Sequence, residues 1–219
     1  NSNVSKIYIT ASGGPFYFNK KVNLSKAKLK DVLNHPKWRM GLNNTIDSSN
    51  FVNKFLEIFE LSIIFDISLK KIDFLISREA FVHSLIVYKD NTIGLNCFKN
   101  DMLISLVKPL SEIFNIEYKS NSFNRVFDQK YFKVNKFDDK RFKMIRYVNV
   151  MKSLDHQKQI QFMLLNNKAH KLYLNNDIEY NDIVDFIFNN LSLNNEKFDL
   201  SSFKKIVDYI NFQKEEYEN

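Results

Sequence analysis

Apolar and polar positions repeat along the chain at two spacings. Four short apolar runs read as strands: Ile7–Thr10, Ile72–Ile76, Val82–Tyr88 and Thr92–Phe98. The polar triplet Lys89-Asp90-Asn91 between the last two predicts a hairpin. Between the first two strands the spacing changes. Phe51, Val52, Phe55, Leu56, Phe59 and Ile63 follow a helical period and predict a helix from about Ser49 to Phe65. Leu24 to Leu33 suggests a further short helix. Asp101 to Phe114 is apolar and helical in pattern, interrupted at Pro109. Residues 115–138 are polar and aperiodic, as expected of an extended connection.

From Asp139 onward the pattern is helical. Phe142, Ile145, Val148 and Met151 keep a rough 3.6-residue period. So do Ile160, Met163 and Leu164, and later Ile183, Phe186 and Ile187. Asp155-His156 and Asn175-Asn176 read as breaks. Ser201-Ser202 can cap a last helix carrying Phe203, Ile206, Val207 and Ile210. The expected fold class is therefore α+β: a mixed four-stranded sheet with helices on one face, followed by a small C-terminal helical bundle. The expected domains are an α+β substrate-binding domain over 1–114, an extended connection over 115–138, and a helical domain over 139–219.

The chain has 219 residues, of which 44% are hydrophobic and 26% charged, in the range of globular proteins with a sizeable core. Its 21 phenylalanines predict a core dominated by aromatic packing. The net charge is +7, but the lysines are dispersed and no arginine cluster marks a nucleic-acid-binding face. Cys97 is the single cysteine, so an intrachain disulfide is excluded; its apolar run predicts a buried, inert thiol. No apolar run is long enough for a membrane-spanning helix, and no signal peptide is visible. Asn1 stands only a few residues before the first strand, so a preceding N-terminal portion is expected.

Candidate chemistry gathers in two stretches. In IYITASGGPF, residues 7–16, a strand runs into Ser12-Gly13-Gly14-Pro15. Backbone N–H groups left free there can form an anion-binding nest. In HPKWRMGLNNTIDSSNFVNKFLE, residues 35–57, a loop leads into the predicted helix. Asn53 and Glu57 are one helical turn apart and share a face, with Lys54 at its edge. Ser48 falls just before the first turn, where a hydroxyl and free N–H groups favour an anion. A plainer reading makes Asp47 and Ser48 ordinary caps and Lys54 a solvated surface lysine. His83 reads as a satisfied core histidine, and His156 and His170 show no partner signal.

Together, SGGPF, HPKWRMG and IDSSNFVNKFLE resemble the 1-deoxy-D-xylulose 5-phosphate reductoisomerase family at the family's spacing. The resemblance continues more faintly to the C-terminal helices. It implies NADPH-dependent rearrangement and reduction of 1-deoxy-D-xylulose 5-phosphate to 2-C-methyl-D-erythritol 4-phosphate, in the non-mevalonate route to isoprenoid precursors. It implies a divalent cation, Mg²⁺ or Mn²⁺, with Glu57 as a metal ligand and catalytic residue. Ser12, Ser48, Asn53 and Lys54 match the substrate-phosphate site and should surround one small volume. His35 matches a substrate-contacting catalytic histidine, and Trp38 and Met40 match the flap that closes over the substrate. The resemblance further implies a soluble homodimer of the cytoplasm or a plastid-like stroma, acting on a phosphorylated sugar with no nucleic-acid or membrane partner.

The sequence departs from the family in several places. No GxGxxG occurs, so this stretch contributes no cofactor-binding residue, and the family's Asp-Ser-Glu, which supplies two further metal carboxylates, is absent. Both are expected to precede Asn1, which makes the chain a fragment lacking the NADPH-binding domain and inactive alone. Leu42-Asn43-Asn44 stands where the family has a basic pair. Phe55 replaces a glycine, Asn100-Asp101-Met102 replaces Pro-Asp-Met, and no Asn-Ala-Ala-Asn-Glu is recognisable near Met163 to Asn167. The alternative reading is a non-catalytic relative that keeps the fold as an interaction protein.

Overall fold

The structure is a computed structural model that describes residues 3–33, 41–117, 132–191 and 197–218. Compactness groups the chain into two units, each discontinuous in sequence. One joins Asn1–Gly13 to Lys71–Phe137, the other Gly14–Lys70 to Asp138–Asn219. The chain passes from the first unit to the second between Phe137 and Asp138. The segment 14–70, expected with the sheet, groups with the C-terminal helices.

The sheet unit holds β1 (Val4–Ala11), β2 (Ile72–Ile76), β3 (Val82–Tyr88), β4 (Ile93–Cys97) and β5 (Asn135–Lys136), with helix α4 over Met102–Phe114. The strand order is β4-β3-β1-β2-β5. β1 is central, parallel to β2 and antiparallel to β3. Strict alternation in β2 buries Ile72, Phe74 and Ile76. The β3–β4 hairpin turns where expected: Asn91 takes a left-handed φ of 65°, and Asp90 accepts from the N–H and hydroxyl of Thr92. The sheet has five strands where four were expected. The fifth is a two-residue pairing of Asn135 and Lys136 with Ile76 and Leu75, inside the segment read as a connection. Helix α4 is capped by Asp101 and runs through Pro109 rather than stopping there. The missing N–H falls on an exposed turn, where water can take the freed carbonyl. Cys97 is half-buried rather than buried, and burial raises its thiol pKa, keeping the thiolate scarce.

In the helical unit, α1 (Leu29–Val32), α2 (Leu42–Asn50) and α3 (Val52–Phe65) precede α5 (Val148–Met151), α6 (His156–Leu174), α7 (Asp182–Asn190) and α8 (Phe203–Glu218). Among the described residues no strand follows Asp139. Asp155 and Asn175 cap the two ends of α6, and Ser202 caps α8 through the Lys205 N–H. Two aromatic groups fill the core. Phe142 packs edge-on against Phe51 at 4.8 Å and stacks with Tyr17 at 6.3 Å. Phe162 meets Phe59 at 5.7 Å and Phe188 at 5.8 Å. Three residues expected on apolar faces are exposed: Ile63 on the last turn of α3, Met163 on α6 and Phe203, the first residue of α8. Tyr209 and Gln213 provide the buried positions of α8 instead.

Candidate functional site

The helix expected from Ser49 to Phe65 is broken at its start. Phe51 adopts φ 70°, ψ 10° and separates α2 from α3. A left-handed aromatic residue costs about 1–3 kcal/mol and persists only where its surroundings fix it. Here the Phe51 ring is 1% exposed, held by Phe142 and Tyr17. Asn50 Oδ1 accepts from the Val52 N–H at 2.9 Å, satisfying one of the first donors of α3. Ser48 therefore lies in the last turn of α2, not ahead of a single long helix as expected. The two-helix junction brings that turn next in sequence to the N-terminus of α3.

Past the break, α3 presents Asn53, Lys54 and Glu57. Lys54 is 9% exposed and grips both oxygens of Glu57, at 2.6 and 2.7 Å. Asn53 donates to the same carboxylate at 3.3 Å, as the shared-face reading requires. Its Oδ1 is buried and has no hydrogen-bond partner. The plainer reading of Lys54 as a solvated surface residue does not describe it. Glu57 remains half-exposed, with 40% of its side chain accessible.

The glycine loop is pressed onto this region from within the same unit. Gly14 has φ 57°, and a Cβ there would lie 2.8 Å from the Ser48 carbonyl oxygen. Only glycine permits both the conformation and the approach. Gly13 is also left-handed, at φ 98°. Ser12 follows β1 in the sheet unit. His35, Trp38 and Met40 lie outside the described residues.

Three supports were not legible in the sequence. Arg141 holds the loop that follows Pro15: it donates to the carbonyls of Phe16 and Tyr17 at 3.0 and 3.2 Å and of Asn19 at 3.0 Å. Asp139 orients that guanidinium and also takes Lys20 at 2.5 Å. Burial opposes its charge, but the bonds from Arg141 and Lys20 win and bring its pKa down to about 2. Beneath Ser48, Asp47 is buried and accepts from Asn166 at 2.9 Å, with His170 Nε2 at 2.8 Å. His170 thus has a partner that no signal in the sequence marked. The Ser49 hydroxyl, which donates to the Ile46 carbonyl, also meets the Tyr180 hydroxyl at 2.9 Å, and burial pushes that phenol far up. His83 is structural, stacked on Phe98 at 3.7 Å with Nε2 3.1 Å from the Phe98 carbonyl.

A divalent ion is a poor fit to these residues by themselves. Glu57 is one carboxylate already engaged by an ammonium. Among the described residues no group of three His, Cys, Asp or Glu is placed to hold a metal. Nor is any described helix long and apolar enough to cross a membrane.

Residues 1–65 match the family described as the 1-deoxy-D-xylulose 5-phosphate reductoisomerase C-terminal domain. The Pelagibacter ubique 1-deoxy-D-xylulose 5-phosphate reductoisomerase is 34% identical over 186 residues, 83% of this chain and 47% of that protein. The Clostridium novyi enzyme of the same name is 30% identical over 211 residues, 95% of this chain and 53% of that protein. The chain thus spans about half the length of the curated relatives it matches. Among solved structures, the Zymomonas mobilis reductoisomerase in complex with NADPH superposes with a TM-score of 0.79 at 23% identity, over 97% of this chain and 54% of that one. A DOX-P reductoisomerase in complex with NADPH, fosmidomycin and magnesium gives 0.78 at 22% identity, over 99% and 55%. At these identities the superpositions establish the fold.

Proposed function

Since the chain belongs to the 1-deoxy-D-xylulose 5-phosphate reductoisomerase family over the half of those proteins that it spans, we propose that it carries the substrate-binding half of an enzyme converting 1-deoxy-D-xylulose 5-phosphate to 2-C-methyl-D-erythritol 4-phosphate with NADPH. The observation that carries this reading is the start of α3: a buried ammonium, a carboxylate and an unpartnered buried amide oxygen, one turn past a strained helix junction. The Lys54 ammonium suits the substrate phosphate, with Ser12 and Ser48 as hydroxyl donors. Asn53, matched to the same phosphate, would add its side-chain amide as a further donor. Trp38 and Met40 would close over the substrate and exclude water, and His35 would contact it.

Glu57 would serve as one carboxylate of a magnesium or manganese site whose other ligands, like the NADPH site, belong to the other half of a complete enzyme. The cation would supply Lewis-acid polarisation of the substrate oxygens. A homodimer accords with the apolar side chains that α4 exposes, among them Leu103, Leu106 and Ile113. The reading places the protein in the cytoplasm or a plastid-like stroma.

A second reading, a non-catalytic relative, is favoured by the saturation of Glu57 by Lys54 and Asn53. Phosphorus NMR of the substrate titrated with the 219-residue chain separates them. The proposal expects binding that is lost in Lys54→Met and Ser48→Ala, with no NADPH oxidation by this chain alone. Absence of substrate binding, or binding untouched by both substitutions, overturns the phosphate site. NADPH turnover by the chain alone overturns the division of labour.

A further inference from the structure

A cavity of about 500 Å³ lies in the helical unit among α6, α8 and the first turn of α2. That volume is in the range of small-molecule sites. Its wall carries Lys168, Lys171 and Lys214, with His170, Asn43 and Tyr217. No carboxylate stands among the described side chains of that wall. Lys20, Lys54, Lys108, Lys143 and Lys205 each hold an aspartate or glutamate. Lys168 instead donates to the Tyr217 carbonyl, and among the described residues no carboxylate pairs with any of the three lysines of the cavity.

Two further observations point the same way. His170 is 1% exposed, and its Nδ1 is buried without a partner while Nε2 is committed to Asp47. The Tyr217 hydroxyl is also buried without a partner. A buried polar group left unbonded in a cavity wall marks a place where a ligand group belongs. Asn43 stands in the first turn of α2, the electropositive end of that helix. Three lysines and a lining without a carboxylate suit an anion, and the Leu164 and Leu172 wall suits the apolar body of an organic anion.

We propose that this cavity is a second anion-binding site, for a small phosphate-bearing molecule, distinct from the site at the start of α3. Its occupant is coupled to the first site by structure. His170 Nε2 and Asn166 meet the Asp47 carboxylate, and Asp47 is followed directly by Ser48 at the α2–α3 junction. A ligand that engages His170 therefore acts on the turn that carries Ser48. The inference does not need the substrate assignment of the first site; only the coupling does.

The test is an amide and side-chain NMR titration of the 219-residue chain with inorganic phosphate and, separately, pyrophosphate. The expected result is saturable shifts at Lys171, Lys214, His170 and Asn43. The Lys171→Ala/Lys214→Ala double substitution should weaken binding at these reporters at least about ten-fold. Both lysines are exposed, so the variant keeps the fold, and the Ser48 and Lys54 resonances report the first site independently. Shifts confined to Ser48–Lys54, or an affinity at the cavity unchanged by the double substitution, overturn the proposal. The same outcome would leave the first site intact, and Lys54→Met should abolish the first set of shifts while leaving the cavity set.

Discussion

His170 Nε2 lies 2.8 Å from Asp47 Oδ1, joining the C-terminal part of α6 to the last turn of α2 where both side chains are buried. Asn166, one turn back on α6, adds a second bond to the same oxygen. Removing the carboxylate leaves two buried polar groups without their acceptor. Asp47→Ala should therefore cost about 2–4 kcal/mol, and Asp47→Asn, which keeps a carbonyl oxygen, distinctly less. Urea unfolding monitored by circular dichroism measures both; equal losses for the two variants would contradict the pairing.

The Lys54–Glu57 pair should be asymmetric under substitution. Lys54 is nearly buried, whereas Glu57 keeps 40% of its side chain in solvent. Lys54→Met leaves a carboxylate that water can solvate, and stability should change by less than about 1 kcal/mol. Glu57→Leu strands an ammonium at low accessibility and should cost about 3 kcal/mol or more. Thermal midpoints of the two single variants decide the matter; a larger loss for Lys54→Met reverses the argument.

Gly14→Ala meets a fixed obstacle. The new methyl would sit 2.8 Å from the Ser48 carbonyl oxygen, at a φ of 57°. Neither the backbone oxygen nor the left-handed turn can yield cheaply, so a loss of about 1–3 kcal/mol is expected. Amide shift changes should concentrate at residues 14–20 and 47–50. Wild-type stability in this variant would show that the loop does not press on α2.

Asp139 sets an acid limit on the loop clasp. Its folded pKa, about 2, lies below the ordinary carboxylate value, so its ionised form is favoured in the folded state. Its contribution is present in full above the unfolded pKa near 4 and is lost as pH falls through about 2. The contribution is roughly 2 kcal/mol. Unfolding free energies measured from pH 5 to pH 2 should fall less steeply for Asp139→Asn than for the wild type. Parallel curves would refute the assignment.

Strands β2 and β3 could be read from the sequence to the residue: in β2 side-chain period and burial agree, and β3 is an unbroken run of strand formers ended by a polar turn. The breaks at Asp155 and Asn175 and the cap at Ser202 were legible because these residues act on neighbours in sequence. The break at Phe51 was not, since nothing in a phenylalanine announces a left-handed backbone; its ring is held by Phe142, far along the chain. Strand β5 escaped because two polar residues carry no period. The Asp47–His170 pair spans 123 residues, and α6 buries Gln159, Gln161, Asn166 and His170 together with its apolar positions, which blurs the stripe that periodicity relies on. At the candidate site the residue types were legible, but the seizure of Glu57 by Lys54 is a matter of rotamers, which spacing alone does not fix.

The order of strands in the sheet also constrains how the protein is made. β1 occupies the centre, with Ile7 paired to Ile72 on one side and to Ile86 on the other. During synthesis β1 leaves the ribosome long before either neighbour exists, and the chain must first deliver all of α1 to α3. Until then the Val4–Ala11 segment is an apolar strand with two bare edges, open to pairing with any extended chain nearby. Closure of the sheet through contacts so remote in sequence is slow by its topology. Newborn chains should therefore depend on holding chaperones during this interval, and pauses in translation between Ser12 and Lys71 should lower the yield of native protein more than pauses after Tyr88.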